Sequence, residues 1–172
     1  YNRCPMLCGE QIQGLLQVLE ATGQASLEGL DDILFLSVDF DEPAALAREA
    51  EHNAQAALDR LRIGATWHVL RGDEASVRAI AEAVGFAFQE DPQSGEIAHP
   101  SGFVVLQTDG TVSRYLFGVR YEARDLRLAI ADAGQGKAGA VADQLLLLCF
   151  HYDPMTGKYG FAISRFLQFA AI

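Results

Sequence analysis

Residues 33–38, Ile-Leu-Phe-Leu-Ser-Val, form an unbroken apolar run. This is the pattern of a strand covered on both faces, which arises where helices pack on each side of a mostly parallel sheet. The neighbouring sequence supplies those helices. Ile12, Leu15, Leu16 and Leu19 repeat at helical spacing and predict a helix over 9–22. Asp41 and Pro43 read as a helix start, and the Ala-rich stretch to about Leu61 is a strong helix former. Residues 66–70, Thr-Trp-His-Val-Leu, are a second candidate parallel strand. Asp73 opens a further helix with Val77, Ile80, Ala81 and Val84 on one face, and Gly85 closes it. Residues 89–101 contain Pro92, Gly95 and Pro100 and read as a loop. Apolar runs at 103–106 and 112–117 flank Asp109-Gly110, a strong hairpin signal, and a last helix is expected over 123–133. The fold class is therefore α/β, with a central mixed sheet flanked by helices.

Within that frame, Cys4-Pro5-Met6-Leu7-Cys8 stands at the mouth of the first helix. Pro suits the first helical position, where its missing N–H costs nothing. Thiols beside a helix N-terminus are biased toward the thiolate, the form that exchanges disulfides and binds soft metals. A Cys pair at the first strand-to-helix junction of an α/β unit reads as thioredoxin-like. Redox enzymes of that type usually place two residues between their cysteines, and here there are three. This spacing permits a disulfide and also permits two thiolates to face one metal ion, so both chemistries stand.

A metal site needs a further ligand, and the chain has four histidines. His52 lies in the charged helix and reads as a surface residue. His68 alternates with Trp67 and reads as a satisfied core histidine. His99 lies on the loop before the hairpin, which in a thioredoxin-like fold approaches the first helix N-terminus. Two thiolates with an imidazole suit copper: sulfur selects Cu(I) and nitrogen tolerates Cu(II). Zinc accepts the same donors but wants a fourth.

The chain has 172 residues, half of them hydrophobic, enough for one core without staples. Three cysteines are too few for a disulfide scaffold. Thirteen basic against 23 acidic residues, a formal charge of −10, argue against nucleic acid as a partner. Gly134, Gly136 and Gly139 mark a joint, dividing a thioredoxin-like domain, 1–134, from a C-terminal extension, 135–172. In the extension, 145–150 read as a short helix and 151–154 as a turn. Residues 159–172 are shorter than the roughly 20 apolar residues of a membrane span. They fit a docking helix, an interfacial segment or the start of a membrane helix. No signal peptide is visible. Tyr1 stands only three residues before Cys4, so the sequence is expected to be a fragment lacking the strand that would precede the first helix.

The ordered set of motifs resembles the SCO/SenC family of copper proteins over nearly the whole chain. Tyr1 to Cys8, read as Tyr-x-x-Cys-Pro-Met-Leu-Cys, is similar to the family's signature. So are Ser37-Val38-Asp39 with Glu42-Pro43, the segment 67–73 (Trp-His-Val-Leu-Arg-Gly-Asp), and 81–86. His99 followed by 102–106, Asp109-Gly110 and 113–118 resembles the family's ligand histidine and hairpin. The resemblance implies a thioredoxin-like fold binding one copper through Cys4, Cys8 and His99. It implies work on the dinuclear copper centre of cytochrome c oxidase, as a metallochaperone, a thiol reductase with Cys4 and Cys8 as its redox pair, or both. The partners implied are the copper-bearing oxidase subunit, a thiol reductant and other copper chaperones. The place implied is the periplasmic face of the bacterial inner membrane, with a tether. The family often has Asp after Cys-Pro; Met6 stands here and makes the entrance more apolar. Pro100 after His99 restricts that residue to extended backbone angles. Asp39 and Asp41 read as an acidic docking edge or, more simply, as a helix cap. Cys149, His151 and Met155 resemble a segment that ends one bacterial branch of the family, and read as a packed turn or a second metal site.

Overall fold

The computed structural model describes residues 8–92 and 97–137, with Cys8 by its backbone alone, and the backbone of 150–153 and 158–161. Element order is α1 (Cys8–Thr22), β1 (Asp32–Leu36), α2 (Ala44–Arg60), β2 (Thr66–Leu70), α3 (Glu74–Ala83), β3 (Gln89–Glu90), β4 (Ile97–Ala98), β5 (Gly102–Leu106), β6 (Val112–Phe117), α4 (Ala123–Gly134), β7 (Phe150–Asp153) and β8 (Lys158–Phe161).

β1 and β2 pair in parallel, Ile33 opposite Trp67 and Phe35 opposite Val69. The outer edge of β2 is satisfied by α2: the Gln55 side-chain oxygen accepts from the Trp67 N–H at 2.8 Å, and a Glu51 carboxylate oxygen from the Val69 N–H at 2.9 Å. A strand edge covered in this way offers no free ladder to another chain. β5 and β6 form the expected hairpin, Phe103 opposite Leu116. At its tip Gly110 takes φ 86°, a left-handed angle that favours glycine, and the Asp109 carboxylate accepts from Thr111 N–H at 2.9 Å.

The core joins α1, α2, β2 and α4 through Val18, Leu19, Leu58, Trp67, Leu126 and Ile130, each under a tenth exposed. Trp67 points into it, and Ile33 and Phe35 of β1 pack against it. Leu34, on the opposite face of β1, is 55% exposed. The apolar run is thus covered on one face, and β1 pairs with β2 along one edge, its single strand neighbour among the described residues. The free side of β1 and the β5–β6 hairpin face each other across an apolar cleft of about 620 Å³.

Four expectations are corrected. Asp41 does not cap α2; Pro43 occupies the cap position with no side-chain bond, and Asp39 instead closes a turn by accepting from the Asp41 N–H at 3.2 Å. The 89–101 loop contains a short antiparallel bridge, Gln89–Glu90 with Ile97–Ala98. Phe150 lies in a strand rather than a helix. His151, Tyr152 and Asp153 likewise belong to β7, paired antiparallel with β8, rather than to a turn. Aromatic residues opposite one another, Phe150 with Phe161 and Tyr152 with Tyr159, suit such a ladder. Asp73 does cap α3, accepting from the Ser76 N–H at 2.8 Å, and Gly85 ends it at φ 67°.

Candidate metal and thiol site

α1 opens at Cys8. The first turn of a helix carries N–H groups without intrahelical acceptors and the positive end of the dipole. Cys4, Pro5 and Met6 lie outside the described residues, as do Cys149 and Met155; His151 is described by its backbone in β7. Of the ligands expected from the sequence, His99 is the one whose side chain is described.

His99 sits between β4 and β5 and is half-buried. Its Nδ1 lies 2.9 Å from the Pro100 carbonyl oxygen. A carbonyl oxygen only accepts, so Nδ1 carries the proton and Nε2 keeps its lone pair. Imidazoles that ligate metals are commonly oriented by such a bond from the other ring nitrogen. The Phe86 ring stands 5.7 Å away, tilted by 38°. Burial pushes the His99 pKa below its ordinary value, against an opposing pull from the Pro100 carbonyl. The neutral imidazole is the form that binds metal.

One contact joins α1 to the strand that follows His99, and a second joins it to the segment after β6. Gln11, three residues past Cys8, donates its side-chain N–H to the Gly102 carbonyl. Gly14, a turn further, lies so close to the segment after β6 that an added Cβ would stand 2.0 Å from the Val119 carbonyl oxygen. Gln11, Phe86, His99 and Pro100 all line the apolar cleft.

The other candidates separate cleanly. His52 is exposed on α2, as expected. His68 is not a core residue: its Nε2 is 2.8 Å from Asp32 Oδ1 in a solvent-facing pair. The strand alternation that buries Trp67 turns His68 outward. Arg71 donates to the Glu42 carbonyl, tying together two of the segments that carried the family resemblance. Among the described residues, no three His, Cys, Asp or Glu side chains gather as a metal cluster. Two residues at the site had no role assigned from sequence. Phe86 lay within a matched segment, and Gln11 was signalled only by its i, i+3 spacing from Cys8.

The frame is a thioredoxin-like α/β domain, with a cysteine-bearing helix and a neutral imidazole on elements that line one cleft. This is the architecture of a thiol- and metal-handling protein. The SCO1/SenC family model matches residues 1–132, and the chain belongs to that family. Membership carries a family-level role in copper and redox handling. Two crystal structures from Aquifex aeolicus VF5 share the fold. One, of a candidate electron transfer protein, is 19% identical with a TM-score of 0.58, covering 80% of this chain and 75% of that one. The other, of a candidate electron transport protein, is 19% identical with a TM-score of 0.59, covering 80% and 78%. No curated protein matches the chain.

Proposed function

We propose that this protein is a copper metallochaperone for the dinuclear copper centre of cytochrome c oxidase, taking one copper ion as cargo on Cys4, Cys8 and His99. The observation that carries the reading is the His99 imidazole, held by its Nδ1–H on the Pro100 carbonyl with Nε2 left to a metal. The chemistry of the donor set fits: two thiolates select soft Cu(I), and one imidazole adds tolerance of Cu(II). Binding requires both thiols reduced, so cargo loading and redox state are linked. The working place is the periplasmic face of the inner membrane, on a tether, with a thiol reductant and other copper chaperones as partners.

The two cysteines expected at the mouth of the first helix support a second activity, reduction of a disulfide on the partner copper protein. One thiolate attacks the partner's disulfide and forms a mixed disulfide, releasing one partner thiolate. The other cysteine displaces the second partner thiolate. The partner gains two electrons as two thiols, this chain is left with a Cys4–Cys8 disulfide, and a dithiol reductant regenerates it.

The deciding experiment is a Cu(I) titration of the reduced protein, wild type against His99→Ala. One tight equivalent in the wild type, lost in His99→Ala with dithiol exchange retained, supports the chaperone. Copper affinity indifferent to His99 removes the three-ligand site and leaves thiol exchange.

A further inference from the structure

We infer that Gln11 is a positioning residue: through the Gly102 carbonyl it sets the placement of the cysteine-bearing end of α1 relative to the His99 imidazole. The coupling stands on geometry; its consequence for copper rests on the function proposed above. Gln11 lies one turn from Cys8, a rise of about 4.5 Å along the axis. Its acceptor, Gly102, is three residues past His99 and opens β5. One half-buried side chain therefore bridges the two elements that bear the expected ligands.

Both ends of the bridge are held. On the strand side, Gly102 cannot back away. It already crowds β6, where an added Cβ would stand 2.6 Å from the Leu116 carbonyl oxygen. On the helix side, Gln11 also hydrogen-bonds the Tyr121 side chain. The Tyr121 hydroxyl donates to the Gly118 carbonyl at 2.5 Å, and its ring packs 4.5 Å from Phe103, the residue after Gly102. A Gln at this position ties α1 to β5 through a donor of the right length, a link that an apolar residue of the same size would not make.

The test compares Gln11→Met, equal in length but without a donor, with Arg114→Ala. The latter breaks an ion pair to Asp132 at 2.8 Å between β6 and α4, and involves none of the site residues. Two readouts are taken: the His99 ring resonances of the reduced, copper-free protein, and Cu(I) affinity by competition with a coloured chelator. Gln11→Met is expected to move the His99 resonances and to weaken Cu(I) about tenfold, the lower range for partners that orient metal ligands. Arg114→Ala is expected to move neither. Gln11→Glu, which keeps the shape and lacks the donor at neutral pH, repeats the test if Gln11→Met does not fold. Unmoved His99 resonances, or the same shift in Arg114→Ala, would overturn the inference. Copper affinity equal in wild type and His99→Ala would instead sink the copper reading, while the copper-free resonances still decide the role of Gln11.

Discussion

Replacing Gly14 by alanine sets two effects of known sign against each other. Alanine is the best helix former and glycine nearly the worst, so in an exposed helix interior the change stabilises by about 1 kcal/mol. In α1 the new methyl would stand 2.0 Å from the Val119 carbonyl oxygen, 3.1 Å from its carbon and 3.4 Å from the Tyr121 ring. Ordinary contact begins near 3.4 Å, so helix and loop must separate by about 1.4 Å. The obstacle is backbone, which cannot rotate aside as a side chain would. Forcing extra volume into a packed contact costs about 1–3 kcal/mol, and a backbone clash belongs at the upper end. The clash wins, and the expected net loss is about 1–2 kcal/mol. For a domain of this size that lowers Tm by roughly 2–8 °C. Urea unfolding of the reduced, copper-free protein measures the free energy, and a thermal melt checks it. A gain of stability near 1 kcal/mol would mean that propensity governs, and that α1 does not lie against the 118–121 segment as described.

Two further outcomes follow from the core and from the Tyr121 environment. Leu58→Ala, at a fully buried position shared by α2 and the core, should cost about 2–5 kcal/mol in denaturant unfolding; a loss below about 1 kcal/mol would contradict its central place. Burial pushes the Tyr121 hydroxyl up to about 12, against a small opposing effect of its bond from Gln11. Because the folded pKa is raised above its ordinary value near 10, the stability this contributes is complete below pH 10 and is lost as pH rises toward 12. Ultraviolet titration of wild type against Tyr121→Phe should show the missing phenolate step near pH 12; a step near pH 10 would place the ring in solvent.

Much of the fold was legible because local rules and burial agree. The alternation of strand and helix patterns, the Asp73 cap, the Gly85 stop and the Asp109-Gly110 turn each rest on a few neighbouring residues, and each appears where its residues predict. The misreadings share a cause. Asp41 has the chemistry of a cap, but the chain turns two residues too early for it, and Asp39 takes the turn hydrogen bond instead. His68 sits in an apolar strand, yet which face of that strand is covered depends on partners that no local pattern names. Phe150 ends an apolar run, 145–150, that periodicity alone reads equally as helix or strand, and for residues 150–153 the cross-strand aromatic partners seven to eleven residues on decide the matter.

By itself the sequence determined the α/β class, the order of the elements from α1 to β2 and α3, the β5–β6 hairpin and α4, and, through its ordered motifs, the family. These follow from side-chain periodicity, turn chemistry and fixed spacing, all of which act over short stretches of chain. Tertiary structure alone decided the Gln11 bridge to Gly102 and the tight seat of Gly14 on Val119. The reason is distance along the chain. Gln11 and Gly102 are 91 residues apart, and a hydrogen bond between them exists only once packing has brought helix and strand together.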